Sequence, residues 1–189
     1  FKMLPTPTNN MEKIKQQEYY KHYIRKVFDY LSREAKLPKD MTPKEEISYI
    51  MRYFNQFPSE AQVIDYIIPK LEDDEPNDYI RLSKFEPFML EVLEKNEFEV
   101  SPAEHLLAAF RILDTDKGKI PIDVLKNMLT TEGIPFREKE MIDFEKYSLD
   151  KSQKYVYYED YVAKLMEEND RHIQEFLKEY PTFKPPINQ

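Results

Sequence analysis

The 189-residue sequence holds no cysteine, no tryptophan and only two glycines, Gly118 and Gly133. Without cysteine there are no disulfides and no thiolate metal sites, and nothing points to an oxidising compartment. Two isolated glycines cannot build a dinucleotide fingerprint or a phosphate loop. Each of those needs closely spaced glycines so that backbone amides can approach phosphate. No apolar run approaches the ~20 residues that a bilayer-spanning helix requires. A formal charge of −8 argues against a surface that tracks nucleic-acid phosphates, where Lys and Arg cluster. An acidic chain suits a basic partner better.

What remains is bulky and helical. Tyr (14), Phe (12) and Met (8) supply the volume that tryptophan does not. In "YYKHYIRKVFDYLSREA", Tyr20, Ile24, Val27, Phe28 and Leu31 recur at three- and four-residue spacing, the signature of one buried helix face. "PKEEISYIMRYFNQF" places Ile47, Ile50, Met51 and Phe54 on one face behind a threonine, Thr42, that reads as the helix cap. "PSEAQVIDYIIPKL" opens with Pro58-Ser59 and continues through Val63, Ile64, Ile67 and Leu71. The polar "EDDEPND" is a loop, and "YIRLSKFEPFMLEVLEKN" follows it.

The second half repeats the plan. "SPAEHLLAAFRIL" starts with Ser101-Pro102 and has Glu104 at the capping-box position. "PIDVLKNMLTTEG" ends in Gly133, placed to terminate a helix. "REKEMIDFEKYSL", the polar "DKSQK" and "YVYYEDYVAKLMEENDRHIQEFLKEY" complete the series. The expectation is eight helices in four pairs. They fall into an N-terminal pair of units over 11–96 and a C-terminal pair over 101–170. An extended helix and proline-containing tail follow over 171–189, "PTFKPPINQ" leaving the fold as an arm.

Four helix–loop–helix units in two lobes is the all-α, calmodulin-like EF-hand plan. The alternative, a helical bundle with no such relation, does not explain why one aliphatic follows each of three loops where EF-hands form their short β-bridge. Those aliphatics are Ile80, Ile120 and Val156.

A calcium loop of this class needs oxygen ligands at positions 1, 3 and 5, glycine at 6 and a bidentate glutamate at 12. "DTDKGKI" offers Asp114 and Asp116, yet its position 12 is Val124 and its glycine arrives one residue early. "EDDEPNDYIRLSK" reads as a residue too long, lacks glycine and ends on Lys84. "LDKSQKYVYYED" has Leu149 at 1 and Lys154 at 6, although Asp160 stands at 12. The first loop reaches Glu46 at 12 but offers Ala35, Leu37 and Lys39 at 1, 3 and 5. All four units are therefore degenerate, no calcium or other cofactor is expected, and Asp114, Asp116 and Asp160 are vestiges. His22, His105 and His172 lie far apart in sequence and in no metal-binding frame, so no catalytic set emerges.

A lobe without metal can still act by its apolar face. Phe110, Leu113, Met128, Leu129, Met141, Phe144, Val162, Leu165 and Met166 are candidates for a groove that clasps an amphipathic helix, basic by preference, although such residues also make cores.

"LEDDEPNDYIRLSKFEPFMLEVL" and "LLAAFRILDTDKGKIPIDVLKNMLTTEGIPFREKEMIDF" resemble the calmodulin-like subunits of the nexin–dynein regulatory complex. Glu75-Pro76 before Tyr79-Ile80-Arg81, the phrase Leu106 to Leu113, "TTEGIPF" and "YVYYEDYVAKL" carry the likeness, over roughly Glu18 to Met166. The resemblance implies a non-catalytic structural subunit of the axoneme of cilia and flagella. Its partners would be other subunits of that complex and, indirectly, the doublet microtubule, with neither nucleic acid nor membrane. The competing function is a calcium-sensing calmodulin-like protein or motor light chain that uses one unconventional loop.

Overall fold

A computed structural model describes residues 10–74, 77–114 and 117–179, with side chains throughout except at Glu12 and 172–179. Four short strands set the architecture. β1 (Met41–Pro43) pairs antiparallel with β2 (Tyr79–Arg81), and Thr42 faces Ile80. β3 (Ile120–Pro121) pairs antiparallel with β4 (Tyr155–Val156), and Ile120 faces Val156. The three aliphatics expected at bridge positions thus stand in the bridges, each at most 1% exposed.

Helices flank every loop. They are α1 (Asn10–Glu34), α2 (Ile47–Tyr53, entered through a 3₁₀ turn at Lys44–Glu46), α3 (Glu60–Gln62), α4 (Ile68–Leu71), α5 (Leu82–Lys95), α6 (Ala103–Leu113), α7 (Ile122–Thr131), α8 (Glu138–Ser148) and α9 (Tyr158–Glu179). A π turn over Val63–Ile67 joins α3 to α4, so the nine segments amount to eight helices. Pro69 accounts for the π turn. Its ring would strike the carbonyl four residues back in a regular helix, and a widened turn moves that carbonyl aside. Val63, Ile67 and Leu71, four residues apart, consequently share the buried line. Ile64 lies off it and is 47% exposed, which corrects its place on the apolar face.

Two expected helix caps are also corrected. Thr42 lies inside the β1–β2 bridge, and the turn after it starts from Pro43 without a side-chain cap. Ser101 does not cap α6; Pro102 holds that place, and its carbonyl accepts from the Leu106 amide at 3.2 Å. A one-sided cap occurs instead at α8, where Glu140 Oε2 accepts from the Arg137 backbone amide at 3.0 Å. Gly133 follows the α7 terminus with φ +65°, a conformation that costs glycine little.

The described residues form two compact units. One contains 10–58 and 62–100; the other contains 59–61 and 101–179. α9 runs unbroken past residue 170, and the proline-containing tail at 181–189 lies outside the described residues. In the first unit, Gln56 is fully buried and pins the turn after α2. Its Nε2 donates to Asn96 Oδ1 at 2.9 Å, and its Oε1 accepts from the Phe98 amide at 3.0 Å. Those bonds satisfy a buried amide that would otherwise cost the lobe stability.

The two cores differ sharply. Among the described residues, twenty apolar side chains are buried in the first unit and seven in the second. The first unit closes its faces on one another, with Phe28 against Phe85 at 5.3 Å between ring centroids. In the second, Ile120, Leu125, Met141, Phe144, Val156 and Tyr158 make a small cluster. α6 contributes no fully buried residue to it, despite the apolar run "LLAAFRIL". No helix among the described residues is long and apolar enough to cross a membrane.

Candidate functional site

The two bridges define the frames of the four loops. With Ile80 at position 8, the second loop starts at Asp73 and has twelve residues. Glu72 is not part of it: its amide donates to the Ile68 carbonyl at 3.0 Å, and it caps α4. The expected extra residue is thereby corrected. The unfavourable end remains, since Lys84 stands at position 12.

Its ammonium lies 3.1 Å from Asp73 Oδ1, and Arg81 Nε donates to Asp73 Oδ2 at 2.8 Å. Arg81, then Lys84, hold the Asp73 carboxyl below the usual carboxylate range by bonding its charged form. Lys84 also donates to the Glu72 backbone carbonyl, and Lys44, which follows β1, pairs with the Glu72 carboxylate. The first ligand of this loop is thus engaged by side-chain cations of the same chain.

In the third loop Asp114 ends α6. It is seven residues from Ile120 by inclusive count, so the loop is one residue short. Its Oδ2 accepts from the Gly118 amide at 2.7 Å and from the Tyr158 hydroxyl at 2.9 Å. The bond to Asp114 raises the Tyr158 pKa, because it favours the protonated phenol. Asp116 lies outside the described residues. The fourth loop begins at Leu149, which bridges to Val156. Asp150 turns inward on its own loop, its Oδ1 accepting from Ser152 Oγ at 2.8 Å. Asp160, at position 12, is exposed on α9. The donor set that calcium demands, six to eight converging oxygens closed by a bidentate glutamate, does not fit these loops. Among the described residues no three His, Asp or Glu side chains converge into a metal cage.

The candidate groove residues divide by position. Met141, Phe144 and Val162 are buried. Phe144 packs edge-on against Tyr161 and Phe136, with centroids at 5.3 and 6.2 Å. Phe110, Leu113 and Leu129 are half-buried against that core, and Phe110 stacks on Tyr158 at 5.6 Å with 11° between the planes. Met128, Leu165 and Met166 are half-buried on α7 and α9. Six of the nine therefore keep apolar surface uncovered. Ile112, which sequence reading passed over, is 84% exposed on α6. Helical periodicity places it off the stripe that includes Leu106, Phe110 and Leu113, so no pattern singles it out.

Among the described residues, histidine chemistry finds no geometry. His22 stands exposed, edge-on to Tyr23 with centroids 5.2 Å apart, and His105 is exposed in the first turn of α6. The side chain of His172 lies outside the described residues. A broad groove on the first unit, between α1 and the start of α5, is lined by charged residues. Arg25 and Glu86 are already paired within it at 2.6 and 2.9 Å.

Comparison with known proteins decides the family. Dynein regulatory complex protein 8 of Mus musculus is 31% identical over 144 residues, which cover 76% of this chain and 85% of that protein. The chain belongs to this family. The Homo sapiens member is 33% identical over 122 residues, 64% of this chain and 44% of its own longer length. No family model matches the chain. Among solved structures, the myosin II regulatory domain of Physarum polycephalum has a TM-score of 0.49 at 18% identity, covering 76% of this chain and 92% of that one. Mlc1p bound to IQ2 of Myo2p, a class V myosin, also has a TM-score of 0.49, at 20% identity, covering 72% of this chain and 94% of that one. Family membership agrees with the resemblance carried by the phrases around Tyr79–Arg81 and Thr130–Phe136.

Proposed function

We propose that the chain is a non-catalytic adaptor subunit of the nexin–dynein regulatory complex, resident in the axoneme of cilia and flagella. There it holds a helix of a larger scaffold protein and supports the regulation of dynein-driven motility. It does so without calcium. The observation that carries this reading is the contrast between the two units. The first closes on a full core, whereas the second leaves Phe110, Leu113, Met128, Leu129, Leu165 and Met166 only half covered. An amphipathic helix laid on that face would bury them, in the helix-in-groove mode. Carboxylates outnumber cationic side chains over residues 101–170, so the fitting helix is basic on its polar side.

Hydrophobic burial is expected to dominate the affinity. Fully burying an exposed methionine contributes roughly 1.5–3 kcal/mol and covering the open half of one about half that, so six such residues together outweigh an exposed ion pair at about 0–1. Met166→Ala should therefore weaken association about 3- to 10-fold, while Asp160→Asn changes it little. The test is recovery of the scaffold subunit from extracted axonemes by the full chain and both variants, at low and high salt, with circular dichroism confirming the fold. If binding collapsed in high salt while Met166→Ala bound normally, acidic steering rather than the groove would account for association.

A further inference from the structure

We propose that the second loop carries a tethered cation: the Lys84 ammonium and the Arg81 guanidinium take the electrostatic role of a calcium ion and hold the first pair of loops closed without metal. The placement supports this. Counting from the bridge, Asp73 is at position 1, Arg81 at 9 and Lys84 at 12, three points from which a working loop would aim oxygens at one ion. Here one oxygen donor survives at position 1 and two cations replace donors at the others, both within 3.1 Å of the same carboxylate.

The cluster also reaches the neighbouring loop. Lys44 binds the Glu72 carboxylate while Lys84 binds the Glu72 carbonyl. Backbone bonds from Lys44 to Asp78 at 3.2 Å and from Leu82 to Asp40 at 2.9 Å flank the β1–β2 bridge. An ion exchanges with solvent as its concentration changes. A side-chain cation cannot leave, so this pair of loops would have one charge state at every calcium level. The disagreement between the fold's customary ligand and these residues thus becomes a device rather than a loss.

This inference rests on the calcium-independent reading above, but it concerns one loop and is separable from it. Hydrogen exchange, followed by mass spectrometry on the full chain in EGTA, reads the protection of 41–43 and 79–84. Peptides from 101–170 serve as the internal control. Lys84→Met and Asp73→Asn should each speed exchange there several-fold, and the double variant should fall short of the two effects combined, because the singles share the Asp73–Lys84 interaction. Lys84→Glu should exchange faster than Lys84→Met, since it sets a carboxylate against Asp73. Additive single effects, or equal exchange in Lys84→Glu and Lys84→Met, would overturn the proposal. Wild-type slowing at 79–84 in micromolar Ca²⁺ would sink the metal-free reading instead, and the EGTA cycle would still decide the tethered cation.

Discussion

Thr42 shows how one side chain can be right for its strand and wrong for its surroundings. It is fully buried opposite Ile80, and its hydroxyl has no hydrogen-bond partner among the described residues. Valine has the same shape without the polar atom. Thr42→Val should therefore stabilise the chain by about 1 kcal/mol, since an unpaired buried hydroxyl costs on that order. Chemical denaturation would read the gain, and a loss of stability would mean that the hydroxyl has a role in the bridge. Phe144 is the opposite case. Packed between Phe136 and Tyr161, it should cost about 3–5 kcal/mol when truncated to alanine, so its loss would unfold the lobe before it reported on any partner.

The sequence marked Phe144 and Met166 as apolar on helix faces. It could not separate them, because a core position and a groove position share one periodicity and differ only in what packs above. The Asp73–Lys84 pairing was half legible. Lys84 at position 12 disqualified calcium, while the opposite charge eleven residues earlier was the unused signal for a pair. Its pH dependence has a definite sign. Asp73 is held below its ordinary pKa, so the pairing stabilises fully at neutral pH and is lost as pH falls through the depressed folded value. The stability difference between wild type and Lys84→Met should thus shrink on strong acidification, as paired urea titrations would show.

At the scale of elements, the bridges were the most readable feature. β-branched residues after polar loops have one role in this plan, and Ile80, Ile120 and Val156 fill it. Caps were less readable, because serine and threonine serve strands, turns and helix ends alike. Thr42 went to a strand, and the α8 cap formed around Arg137, a residue type outside the usual capping set. The π turn left only Pro69 as its mark. Loop length depends on where the preceding helix stops, and Glu72, a residue type that marks no helix end, is what caps α4. The third loop gives a prediction at this scale. Val124→Glu supplies the missing glutamate but not the missing residue between Asp114 and Gly118. It should leave the chain without a calcium site tighter than about millimolar, the weak end of this loop class. A micromolar site in calorimetry of that variant would show that loop length matters less than the closing carboxylate.

The whole molecule pairs a filled lobe with an underfilled one. Composition indicated enough apolar mass for a core, three- and four-residue spacing indicated helices, and four repeated units indicated two lobes. That the mass is divided unequally was not legible, because α6 is as apolar as the helices of the first unit yet buries none of its residues fully. On the calcium-independent reading proposed above, an underfilled lobe suits permanent attachment rather than sensing. Isothermal titration of the full chain with Ca²⁺ at physiological ionic strength tests that claim most directly. The account predicts no binding tighter than about millimolar in any loop. A saturable micromolar site would contradict it and make the chain a calcium sensor.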